Sequence, residues 1–202
     1  MEQVMVNLGE WLEKGFRLYR ANMLKLIPAT FIALILSVTT VGILAGPMLS
    51  GLLLITLALL RRQHPEPEIF QIFKGFRFFV NGVVFVLGWS LVVSAGSLIL
   101  LMIPGVGQLV VLFFIYSAQA FLMFGPFLIV DRDMDFWAAT LKSFNTVKGN
   151  FWPFLSVSAV AGVIGSIGCI FFGIGIIVTV PLQLCILTVA YEAVFTETSS
   201  IN

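Results

Sequence analysis

The sequence predicts an all-α integral membrane protein of six transmembrane helices, arranged as three hairpins, each preceded by an interfacial amphipathic helix. Three observations carry that reading. Of 202 residues, 59% are apolar and only 10% are charged, whereas a soluble domain carries roughly 25% charged residues, so polar groups are too few to cover a water-facing surface. The 11 basic and 10 acidic residues cluster around three charge-free runs at 26–60, 78–130 and 149–191. Each run is interrupted near its middle by Gly- or Pro-containing turn residues. A membrane-crossing helix needs roughly 20 residues, so each run suits two crossings. The chain, 1–202, is then one membrane domain with no room for a soluble catalytic domain.

Ahead of the first run, Leu8, Trp11, Leu12, Phe16 and Tyr19 share a helical face, with Glu10, Glu13, Lys14, Arg17 and Arg20 elsewhere. With three Glu in its first 25 residues, this segment does not read as a secretory signal and is expected to stay in the mature protein. The first run folds at Val41-Gly42. Its 35 residues are few for two spans, so Lys25 and Arg61 extend it by snorkelling, and Gly46-Pro47 and Gly51 are kink points.

The second amphipathic segment sets Ile69, Ile72, Phe73, Phe76 and Phe79 against Gln71, Lys74 and Arg77, and its two spans fold about Ile103-Pro104-Gly105-Val106-Gly107. The third sets Trp137, Leu141, Phe144 and Val147 against Lys142 and Lys148, and its spans fold about Phe172-Gly173-Ile174-Gly175. No turn carries a charge, and every Lys and Arg lies at the opposite side. The positive-inside rule therefore puts both termini and both long connections in the cytoplasm, in a multi-pass protein of the cytoplasmic (inner) membrane.

The amphipathic segments read as one element used three times. Lys14-Gly15-Phe16-Arg17 matches Lys74-Gly75-Phe76-Arg77 and, more loosely, Lys142-Ser143-Phe144-Asn145. Asn22, Asn81 and Asn150 follow five or six residues later, where the chain is expected to turn from the membrane plane into its first span, a place suited to Asn. The repeat units are approximately 3–62, 68–130 and 135–196, in a pseudo-threefold arrangement.

No catalytic set, cofactor site or metal site is visible, and the protein reads as a non-enzyme. His64 stands alone in a Pro-punctuated loop. Ser94-Ala95-Gly96-Ser97 has no base near it in sequence. No ionisable residue occupies mid-membrane, which disfavours an ion-coupled transporter or voltage sensor; Glu192 comes nearest, at the cytoplasmic end of the last span. Cys169 and Cys185 read as small packing residues without a disulfide between them.

Two clusters carry the functional expectation. Arg61, Arg62, Lys74 and Arg77, four bases against Glu66 and Glu68, form a candidate site for anionic lipid headgroups. Ser90, Ser94, Tyr116, Gln119 and Gln183 form an intramembrane polar cluster. Folding about Gly105 sets Ser94 level with Tyr116 and Ser90 level with Gln119, and these side chains either line a cavity or hydrogen-bond between helices. Small-residue faces, Ser158/Gly162/Ser166 and Ala161/Gly165/Cys169, serve either packing within the chain or an oligomer contact. The expected function is binding of lipid or of a partner membrane protein, in an accessory or scaffold role. The alternative is a channel or facilitator for a small uncharged or lipid-like solute. Expected partners are anionic membrane lipids, a membrane protein or a second copy of the chain, and no nucleic acid.

Trp11…Phe16-Arg17-Leu18-Tyr19…Asn22, Gly46-Pro47-Met48 with Gly51, Phe73-Lys74-Gly75-Phe76 and Gly149-Asn150-Phe151-Trp152 resemble a group of uncharacterised bacterial and archaeal polytopic membrane proteins. That group includes the membrane domain fused to some glycerophosphodiester phosphodiesterases. The resemblance spans nearly the whole chain and implies about six spans in the cytoplasmic membrane. The phosphodiesterase active site lies in a separate soluble domain, so no catalytic residue carries over.

Overall fold

A computed structural model describes residues 7–170 and 175–197. Among the described residues every regular element is helical: α1 (Leu8–Thr39), α2 (Ala45–Leu60), a 3-10 helix (Ile69–Phe78), α3 (Phe79–Leu101), α4 (Gly107–Leu122), α5 (Gly125–Arg132), α6 (Phe136–Gly149), α7 (Phe151–Ile170) and α8 (Ile176–Glu197). Four stretches are long and apolar enough to cross a membrane: α1, the 3-10 helix with α3, α4 with α5, and α8. The pair α6 and α7, bent by 112° at its junction, is a fifth candidate.

Two of the three expected turns fall where the sequence places them. α1 ends at Thr40, after which Val41 and Gly42 take positive φ (54° and 87°) and donate backwards to the Val38 and Ser37 carbonyls, a Schellman closure. The α3–α4 connection turns at Gly105, with φ 81°. The third turn, at Phe172-Gly173-Ile174, and the Cys169 side chain lie outside the described residues. Cys185 is a buried free thiol.

The three amphipathic segments take three different forms. α1 runs unbroken through Asn22, whose side-chain amide donates to the Leu18 carbonyl at 3.0 Å instead of ending a helix. Its apolar face is largely turned to protein. Trp11 and Tyr19 are buried, Trp11 stacks on Phe154, and Gly15 lets α8 approach so closely that a Cβ there would stand 2.7 Å from Ile186 Cα; Phe16 stays exposed. Asn81 lies inside α3. Only at Asn150, between α6 and α7, does the chain bend as expected.

The second segment winds as a 3-10 helix, with three residues per turn, so side chains at i and i+3 eclipse. Its sequence has that period: Glu68-Ile69-Phe70, Gln71-Ile72-Phe73, Lys74-Gly75-Phe76, Arg77-Phe78-Phe79. The first position of each triplet forms a polar stripe. The second turns toward the protein, with Ile72, Gly75 and Phe78 buried, and the third forms an exposed row in which Phe73, Phe76 and Phe79 stack at 6.3 Å spacing. A face drawn with helical period 3.6 mixes the last two stripes.

The tighter helix presses on α2. A Cβ on Gly51 would stand 2.8 Å from Ile72 Cα, and one on Gly75 would stand 2.9 Å from Gly51 Cα. Gly46 likewise meets the Gly82 backbone. These glycines are contact surfaces in an unbroken α2, not kinks. At 16 residues α2 is too short on its own to count among the membrane-crossing stretches, yet it is heavily enclosed, burying Met48, Leu52, Leu53, Ile55 and Leu57. A helix apolar all round belongs in the centre of a bundle. By contrast α3 turns Val80, Leu91, Leu98 and Ile99 outward.

Candidate functional site

A cavity of about 540 Å³ opens between α2, α3, α4, α5, α7 and α8. Its wall is mainly apolar, with Leu53, Phe85, Met123, Phe127 and Leu184 prominent, and Ser90, Ser94, Gln119, Gln183 and Ser158 supply the polar atoms. Four of the five polar residues anticipated from the sequence therefore converge on one space. The fifth, Tyr116, turns instead to α7, where its ring edge comes 3.3 Å from the Cβ position of Gly162.

The anticipated pairings, Ser94 with Tyr116 and Ser90 with Gln119, do not form. Among the described residues neither these four side chains nor Gln183 has a hydrogen-bond partner. Several other hydroxyls in the apolar helices are closed by their own backbone: Thr30 donates to Leu26 at 2.8 Å, Ser50 to Gly46 at 2.9 Å, and Ser97 to Val93 at 2.7 Å, whereas the buried Ser117 hydroxyl on α4 has no partner among the described residues. Such back-bonding satisfies a hydroxyl where water is absent. Ser90 and Ser94 do without it; both are exposed, as is Gln119, so the cavity is a groove open on this side and their polar atoms line it.

Packing holds the amides in place. Gln119 Oε1 lies 3.1 Å from the Cβ position of Gly162, and Gln183 Cδ lies 2.9 Å from that of Gly165. The small-residue faces of α7 are thus occupied at these glycines by side chains of α4 and α8 from the same chain. Sequence reading passed over Trp89 and took Ser158 only as part of a small-residue packing face, whereas it lines the cavity. Trp89 lines the cavity, and its indole N–H donates to Thr140 Oγ1 at 3.1 Å, which ties α3 to α6. A mid-run Trp next to Ser90, away from the interfacial belt where Trp gathers, was the signal.

One side of the cavity is closed by stacked aromatics. Phe127 stacks on Tyr191 at 5.0 Å, and Tyr191 meets Phe195 at 4.9 Å. The Tyr191 hydroxyl donates to Asp131 Oδ2 at 2.9 Å. Arg61 then donates through Nη2 to Asp131 at 2.9 Å and to Glu192 Oε2 at 2.9 Å. The hydrogen bond to Asp131 is the main reason that the guanidinium pKa rises further above its ordinary value. Arg61 is therefore a clamp joining the ends of α2, α5 and α8.

This redistributes the four bases expected to form a headgroup site. Arg61 is engaged as above, and Arg77 pairs with Asp133 at 2.7 Å. Lys74 sits on the polar stripe of the 3-10 helix, while Arg62 faces a separate pocket with Lys14 and Arg17. Lys25 pairs with Glu66. These ion pairs join all three charge clusters of the sequence. Among the described residues, no three His, Cys, Asp or Glu side chains gather as metal ligands.

The chain matches no protein-family model, no curated protein and no solved structure.

Proposed function

We propose that this is a non-enzymatic multi-pass protein of the cytoplasmic membrane that works by binding a lipid-like amphiphile in the α2–α3–α4–α5–α7–α8 cavity. The observation that carries the reading is the pairing of an apolar wall with Ser90, Ser94, Gln119 and Gln183, none of which has a hydrogen-bond partner among the described residues. An unpaired amide or hydroxyl in an apolar medium costs roughly 2–7 kcal/mol, so a ligand with a small uncharged polar group and an apolar body fits this wall. A partner membrane protein presenting such a group is the accessory form of the same reading.

The topology that goes with it is six crossings in three hairpins, with both termini cytoplasmic. Support comes from the ion pairs Lys25–Glu66, Arg61–Asp131, Arg61–Glu192 and Arg77–Asp133, which join the three charge clusters. The repeated unit has support of its own. Gly15 meets α8, Gly75 meets α2, and Ser143 donates to the Phe121 carbonyl at 2.6 Å. At each aligned position a small residue touches another helix's backbone, while the next residue, Phe16, Phe76 or Phe144, is exposed.

Facilitated passage of a lipid-like solute is the second reading. The Phe127–Tyr191–Phe195 stack beneath the Arg61 clamp weighs against a continuous pore.

Native mass spectrometry of protein taken gently from its membrane tests the proposal. A retained amphiphile is expected, and Ser94→Trp, which fills the cavity, should abolish its retention while Trp placed at lipid-facing Leu91 should not. Equal retention in both variants, or none in the wild type, overturns it.

A further inference from the structure

A second pocket, of about 530 Å³, lies between the N-terminal half of α1, the end of α2 and the 61–67 connection. Its rim carries Lys14, Arg17, Arg62 and His64, and its floor is apolar, from Leu18, Ala21 and Leu59. One carboxylate, Glu66, also lines it, but Lys25 binds that oxygen and holds the Glu66 carboxyl below the usual range. Lys14 and Arg17 lean on Glu10 and Glu13 one turn back, at 2.6 and 2.7 Å; such exposed pairs are weak and readily exchanged. Arg62 has no carboxylate partner among the described residues.

The backbone at Arg62 is the second observation. α2 closes with a Schellman pattern, Arg62 N–H to the Leu59 carbonyl and Gln63 N–H to the Ala58 carbonyl, which puts Arg62 in the left-handed region at φ 48°. Glycine is the ordinary residue there, and a bulky side chain is strained. Val41 and Asp133 share this left-handed backbone; at Arg62 it carries a guanidinium to a pocket that already holds Lys14 and Arg17.

We propose that this pocket binds a phosphate group, with Arg62, Arg17 and Lys14 as its ligands and the Leu18–Leu59 floor receiving whatever is attached. The site stands apart from the intramembrane cavity and does not depend on its occupant. The phosphate belongs either to a lipid headgroup or to a soluble phosphate compound, and guanidinium groups recognise both in the same way.

Two arms separate the sources. Inorganic phosphate is titrated calorimetrically onto protein in a neutral detergent, and phosphatidylglycerol retention is measured by native mass spectrometry of protein released from phosphatidylcholine nanodiscs containing it. Arg62→Gly is the main variant, because it relieves the left-handed strain and should hold or raise the melting temperature. Binding in at least one arm should weaken by about tenfold or more in Arg62→Gly and in Arg17→Gln, and stay unchanged in Lys148→Gln, which removes an exposed charge elsewhere. Loss in the nanodisc arm alone identifies a lipid headgroup; loss in the calorimetric arm identifies free phosphate. Wild-type binding by Arg62→Gly and Arg17→Gln in both arms, or no binding by the wild type in either, overturns the proposal.

Discussion

Gly51 and Gly75 bring two backbones into direct contact: a Cβ on Gly75 would stand 2.9 Å from Gly51 Cα and still closer to the Gly51 nitrogen and the Pro47 carbonyl. Neither backbone has a flexible group to move aside. Gly75→Ala should therefore destabilise the protein by about 3 kcal/mol, the upper part of the usual overpacking range. Gly88 in α3 faces open space, so Gly88→Ala should be neutral or stabilising by up to about 1 kcal/mol. Thermal unfolding in detergent compares them, and equal melting temperatures for the two variants would refute the contact.

Arg61 is the only cation bridging Asp131 and Glu192 among the described residues. With side chains 31%, 18% and 25% exposed, the network falls between surface and buried pairs, and Arg61→Ala should cost about 1–3 kcal/mol. Much of that loss reflects two carboxylates left facing each other. Adding Asp131→Asn to Arg61→Ala should restore part of the stability, whereas independent surface charges would give additive losses.

The order found here was only partly legible in the sequence. The turns at 41–42 and 103–107 were readable because Gly and Pro interrupt long apolar runs, although the left-handed residue after α1 is Val41 as well as Gly42. The cavity residues were readable because Ser and Gln stand out in apolar helices. The 3-10 helix was misread by applying a period of 3.6 to triplets with period 3. Arg61's role was hidden because its partners lie 70 and 131 residues away. The phosphate pocket depends on the left-handed closure at Arg62, and an Arg-Arg pair does not announce one.

Lys25 and Glu66 hold the 61–67 connection against α1. Hydrogen bonding from Lys25 lowers the Glu66 carboxyl from its usual value. A lowered folded-state pKa means that the tie is complete above the unfolded value, about 4.3, and is lost as pH falls through the folded one. Spin labels replacing Arg20 and Gln63 should keep one distance from pH 7 to 5 and spread only once pH falls below the ordinary carboxylate value. In Glu66→Gln the spread should appear at every pH. A change between pH 7 and 5 would contradict the assignment.

The central claim is that the cavity selects its occupant through Ser90, Ser94, Gln119 and Gln183. Photo-crosslinking in the native membrane tests it most directly, with benzoylphenylalanine placed at Ser94, on the cavity wall, or at Leu91, which is 73% exposed on the outer side of α3. The account predicts adducts at position 94 enriched in one amphiphile or one partner, and adducts at position 91 that mirror the bulk lipid. Adducts of the same composition at both positions would contradict it.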